Sequence, residues 1–176
     1  MKRFLPLIGL MTSLSFAHAQ SFIATLDAAQ DGGGARMGSG IVNLTLTGTT
    51  LTLSGSFSGL SANATAAHIH GPAAPLPGSA GVIYGLGTTV IPLGATSGTI
   101  GGSVNLVPLG VGGSYTVAQQ TADLNNGLWY VNIHDSTFGG GEIRGQILPV
   151  PEPSTLALAA LSLSGLVFWR ARRRSV

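Results

Sequence analysis

The chain has 176 residues, with eight Lys or Arg, six Asp or Glu and no Cys, for a formal net charge of +2. Without thiols it can form no disulfide, no thiolate nucleophile and no Cys-based zinc site, so its stability must come from core packing. The pI near 9.5 does not signal nucleic-acid binding, because six of the eight basic residues (Lys2, Arg3, Arg170, Arg172, Arg173 and Arg174) lie in the two end segments. Between Gln20 and Leu148 only Arg36 and Arg144 stand against Asp27, Asp31, Asp123, Asp135 and Glu142, a mildly acidic stretch with no basic stripe for phosphates.

At the start, Lys2 and Arg3 form a basic region, Phe4 to Phe16 an apolar stretch broken by Pro6 and Gly9, and Ala17-His18-Ala19 a small-x-small cleavage site. Residues 1–19 therefore read as a signal peptide, removed by signal peptidase to leave Gln20 as the first mature residue. Residues 20–148 suffice for one domain with its own core, and no interior linker divides them.

Within that domain, period-two alternation dominates. Phe22, Ala24 and Leu26 alternate with Ile23 and Thr25, and Val42, Leu44 and Leu46 alternate with Asn43, Thr45 and Thr47. After a turn at Gly48 the phase resets. Leu51, Leu53, Gly55 and Phe57 then face inward while Thr52, Ser54, Ser56 and Ser58 face out, which makes an antiparallel hairpin with one wet face. Further strands are predicted over 66–70, 82–86, 88–91, 99–104, 128–134 and 142–148, with a Gly-rich loop over 31–40 and, over 94–113, either a second such loop or weak strands with glycine bulges. One short helix is predicted over 116–124, where Val117, Thr121 and Leu124 share a face. Ser114 or Thr116 would cap its start, and Gly127 lies just past its end. Many short strands with one helical interruption argue an all-β fold, an antiparallel sandwich of the Ig-like or Greek-key type.

Three segments carry the chemistry: Ala67-His68-Ile69-His70-Gly71-Pro72-Ala73, Trp129-Tyr130-Val131-Asn132-Ile133-His134, and Gly139 to Ile147 with Glu142, Arg144 and Gln146. Together with the short helix before the Asn-Ile-His strand, their order and spacing resemble the CHRD domain, named after chordin and found also in bacterial exported proteins. The resemblance covers roughly 22–148 and departs from the family pattern at Asp31-Gly32-Gly33-Gly34. It implies a β domain without an established activity. Alternation itself puts His68 with His70, Asn132 with His134, and Glu142 with Arg144 and Gln146, opposite Ile69, Ile133, Ile143 and Ile147.

Two readings of these polar faces stand side by side. One is a zinc or copper site, with His68 and His70 from one strand, His134 from another and a carboxylate from Asp135 or Glu142. The other is a hydrogen-bonded network that needs no cofactor, with Glu142 and Arg144 paired along their strand. The His-x-His spacing resembles a strand of the copper-zinc superoxide dismutases, but the other ligands of that family are missing in order and spacing. No Gly-x-Ser-x-Gly elbow and no P-loop are present, so the domain is read as non-enzymatic. Trp129 and Tyr130 either present one ring outward to a sugar or partner or pack in the core.

The end of the chain is Val150-Pro151-Glu152-Pro153, an uncharged apolar run over 154–169, and arginines at Arg170, Arg172, Arg173 and Arg174. A helix over the apolar run would reach about 24 Å, slightly short of a ~30 Å hydrocarbon core but workable with snorkelling flanks. The arginines stay cytoplasmic, so the domain must lie across the membrane from them. These parts, in this order, resemble the PEP-CTERM sorting signal of Gram-negative bacteria, here over 149–176. That resemblance implies processing by an exosortase, a membrane-embedded cysteine transpeptidase. The expectation is an exported protein anchored in the inner membrane through its C-terminal helix, with the domain on the periplasmic side. From there it reaches the cell surface or extracellular matrix, with exopolysaccharide among its candidate partners.

Overall fold

The computed structural model describes residues 19–151 together with Leu161, Ser164 and Arg170, the last three each helical. The segment predicted as a signal peptide (through His18), Glu152 and Pro153 of the sorting motif, most of the apolar run and Arg172 to Arg174 lie outside the described residues. Among the described residues, no helix is long and apolar enough to cross a membrane.

The alternating segments become strands β1 (Gln20–Asp27), β2 (Ser39–Thr47), β3 (Thr50–Ser58), β4 (Ala64–His70), β5 (Val82–Gly85), β6 (Gly98–Asn105), β7 (Tyr130–Asp135) and β8 (Ile143–Pro149). They join, all antiparallel, in the order β5-β4-β7-β8-β1-β2-β3-β6. The first strand therefore lies beside the last: Phe22 pairs with Pro149, and the Val150 amide donates to the Ser21 carbonyl.

β2 and β3 turn through Gly48 and Thr49, with Thr47 opposite Thr50. Gly48 sits at φ +61°, the sign that a type II′ hairpin turn demands at its first central position. Farther along, β3 crosses close to β2 at Gly55, where a Cβ would collide with the Ile41 carbonyl oxygen. Only glycine fits there, which explains why an inward-facing position carries no side chain.

The sheet curls on itself into a barrel-like sandwich, and the segment between β5 and β6 stitches its two ends. The Val90 carbonyl accepts from Gly101 of β6, while the Gly94 amide and the Ala95 carbonyl bond to Ala64 at the start of β4. A strand was predicted over 88–91, and the structure corrects it to a turn. The Gly87 carbonyl captures both the Val90 and Ile91 amides, which bends the chain and lets two consecutive side chains enter the core. Inside lie Phe22, Leu26, Leu44, Leu53, Ile69, Ile133, Ile143 and Ile147, each essentially without exposed surface. The helix α1 (Val117–Asn125) adds Leu124 to this core. It starts at Thr116 with a reciprocal capping box to Gln119. Its buried Gln120, missed by the apolar-face reading, accepts from the Tyr84 hydroxyl and donates to the Val107 and Tyr115 carbonyls.

Candidate metal centre

Alternation along β4 and β7 sends Ala67, Ile69, Val131 and Ile133 into the core and turns His68, His70, Tyr130, Asn132 and His134 to the opposite face. The register sets His68 against Asn132, His70 against Tyr130 and His134 against Ala66. Because Ala66 is small, the His134 ring can lean diagonally toward His68. On β8, Arg144 and Gln146 continue the same polar face, opposite Asn132 and Tyr130.

This face is not wet. The connection from Gly71 to Gly81 folds over it, held by side chains of the face itself: Arg144 donates to the Gly78 carbonyl (2.8 Å) and Gln146 to the Ala73 carbonyl (2.9 Å), while Gln146 also donates to the Gly127 carbonyl (2.6 Å) ahead of the Tyr130 strand. His70 and His134 are each left 8% exposed and Arg144 3%. Arg144 lies over the Tyr130 ring, 3.4 Å from its centroid, and Tyr130 stacks in turn on the His70 ring at 4.8 Å and 6°. Burial, first of all, pulls the Arg144 guanidinium below its ordinary range, against the favourable field of Tyr130 and Asp31.

The three histidines converge. One ligand-capable nitrogen from each ring lies within 4.8 Å of those of the other two, with His68 Nδ1 3.0 Å from His134 Nε2. Two of the rings are oriented by the backbone: His70 Nδ1 sits 3.0 Å from the Ala80 carbonyl and His134 Nδ1 3.0 Å from the Gly139 carbonyl. A carbonyl oxygen can only accept, so each of those Nδ1 atoms carries a proton, and in the neutral ring Nε2 keeps its lone pair. His70 Nε2 is buried and has no partner. Burial, then the neighbouring imidazoles of His134 and His70, hold His68 below the ordinary histidine range. For His70, burial is again the largest cause, followed by the opposing bond to Ala80 and then by His134 and Arg144, with the same net direction. Neutral imidazoles fixed through one nitrogen by a carbonyl are the form in which histidine binds a metal. Two nitrogens bound ~2.0–2.1 Å from a tetrahedral ion stand roughly 3.3 Å apart, close to the spacing of His68 Nδ1 and His134 Nε2. In the metal-free site His68 Nδ1 donates its proton to His134 Nε2, and an ion would take the place of that proton with His68 shifted to its other tautomer.

Neither carboxylate candidate joins this group of nitrogens. The fully buried Glu142 instead accepts from the Met37 amide (3.0 Å), the Ser61 amide (2.8 Å) and the Ser61 hydroxyl, tying the approach to β2 to the exit from β3. Asp135 accepts from the Thr137 and Phe138 amides and shapes the turn that brings Gly139 back to His134. Burial pushes Asp135 up, but the bonds from Phe138, Glu142, Thr137 and Ala62 outweigh it and leave its carboxyl below the usual value. The expected pair of Glu142 with Arg144 along the strand gives way to the contacts of Arg144 with Gly78, Tyr130 and Gln146.

Trp129 and Tyr130 are both buried, so neither offers a ring to solvent. Trp129 donates from Nε1 to the Tyr115 hydroxyl. Tyr130 belongs to the site as the plate between Arg144 and His70, and its two-residue spacing from Asn132 on a strand carried that signal in the sequence. Of the predicted site residues outside the trio, Ala19, Gln20, Val150 and Pro151 are described at the domain's ends, whereas Ala17, Glu152 and Pro153 lie outside the described residues.

The family model of the CHRD domain matches residues 22–147, and that of the PEP-CTERM protein-sorting motif matches residues 149–174. The motif implies export, anchoring at the C-terminus and processing by an exosortase. No curated protein and no solved structure matches the chain.

Proposed function

This chain belongs to the CHRD domain family, and we propose that it is an exported, exosortase-sorted surface or matrix protein whose β domain binds a zinc- or copper-class ion without catalysing a reaction. The observation that carries the metal reading is the meeting of His68, His70 and His134, one nitrogen of each within 4.8 Å of the others. Its support is chemical: imidazole suits both metals, and two rings are already fixed by backbone carbonyls. The PEP-CTERM match supports the sorting half of the proposal. In this reading the domain stands outside the inner membrane until the tail is processed, and its role is to bind and to build.

The test uses the full-length protein, untagged and purified in detergent. Elemental analysis after exposure to zinc or copper should give one ion per chain in the parent and none in His68→Ala or His70→Ala. Sub-stoichiometric metal in the folded parent would overturn the metal reading. Intact mass of the cell-associated protein tests processing: a species retaining Arg172 to Arg174 as the only form would overturn it.

A further inference from the structure

We propose that a metal ion held by the three imidazoles keeps one coordination position open, toward the cleft beside His68, and takes a small anionic ligand there. This rests on the metal reading above and concerns what the site does once loaded.

The first support is access. His70 and His134 are closed off beneath the Gly71 to Gly81 connection, but His68 is only half-buried. His68 is also the member of the trio that lines a cleft of about 360 Å³, together with Thr65, Ala66, Gly85, Leu86 and Gly87. The second support is what stands across from it. In the register of β4 with β5, His68 faces Gly85. A Cβ placed at Gly85 or at Gly87 would meet no atom within 4 Å. At Gly85 and Gly87 the segment next to His68 thus presents bare backbone, on and just past a four-residue strand at the outer edge of the sheet, while Leu86 and Leu93 line the rest of the cleft.

The third support is charge. The trio offers three neutral donors, so a divalent ion would keep its full charge. No carboxylate belongs to the group of three nitrogens: Glu142 accepts from Met37 and Ser61, Asp135 from Thr137 and Phe138, and Asp31, close enough for its charge to act on His134, lies 3.6 Å from Arg36. The nearest fixed cation, Arg144, adds positive charge behind His70 through the Tyr130 ring. Three protein ligands with a fourth position left to an outside donor is the open form of a four-coordinate site. With no anionic ligand among the three, the ion would favour an anion as that donor.

Copper(II) and azide serve as probes on the full-length, untagged protein. Azide added to the one-to-one copper complex should give a new near-ultraviolet charge-transfer band and a changed electron paramagnetic resonance spectrum, saturating at one azide per copper. Gly85 lies outside the left-handed backbone region and its Cβ position is empty, so Gly85→Leu should fold and bind copper as the parent does. Its side chain would project into the opening and weaken azide binding by roughly tenfold or more. Copper that binds one-to-one with a spectrum indifferent to azide would overturn the open position while leaving the metal reading intact. Equal azide affinity in parent and Gly85→Leu would overturn its placement. Failure of the folded parent to bind copper at all would remove the metal reading, and this inference with it.

Discussion

His70 shows how a single side chain is tuned from several directions. Ala80 holds its Nδ1, Tyr130 covers one face of its ring, and Arg144 behind Tyr130 opposes any second positive charge. His68, less enclosed, is pushed the same way by burial and by the other two imidazoles. The sign of the resulting pH dependence follows from linkage. In the unfolded chain these rings take up protons below about pH 6.5, the ordinary value, whereas the folded state resists them. The metal-free protein should therefore hold its full stability above that pH and lose it progressively as the pH falls below. Urea midpoints at pH 7.5 and pH 5 check this: the midpoint should drop at the lower pH, and drop less in a His68→Gln/His70→Gln double variant. Sequence alternation was enough to set His68 with His70, Asn132 with His134, and Arg144 with Gln146 on the polar side of each strand, but the pairing of β4, β7 and β8 is what brings the three sets onto one face. It could not show that the face is roofed, because the roof is made by side chains reaching carbonyls 66 and 73 residues away.

At the level of elements, the strands and the helix were legible because their signals are local. The capping pair Thr116 and Gln119 and the turn glycine Gly48 act within a few residues of themselves. Thr116→Ala removes the acceptor for the Gln119 amide, and it should lower stability by about 1 kcal/mol in urea denaturation with an unchanged slope. Residues 88–91 were not legible in the same way. Val90 and Ile91 have the β-branched character of a strand, yet both amides go to the Gly87 carbonyl, and the following Pro92 has no amide to pair. The turn at 135–141 is similar. Its Asp135 looked like a ligand from sequence, and in the fold it is a brace, positioning the carbonyl that orients His134.

Across the whole molecule, the trio joins β4 to β7, strands separated in sequence by about half the domain. An ion bound there ties two distant parts of the chain only in the folded state, so binding adds to folding stability. At a free zinc concentration about a hundred times its Kd, the gain should be about 2.7 kcal/mol. Thermal unfolding with and without zinc measures it: the midpoint should rise in the parent and stay unchanged in His70→Ala.

The adjacency of β1 and β8 also governs when this domain can be finished. Synthesis delivers Gln20 to Asp27 first and Ile143 to Pro149 last, yet these two strands hydrogen-bond side by side in the middle of the sheet. A chain that ends before residue 143 lacks the strand that joins β7 to β1 in the finished sheet. The closing strand runs within a few residues of the sorting motif. Such a chain acquires its last structural piece and its attachment point together, so the segment that completes the barrel is also the one that delivers the mooring.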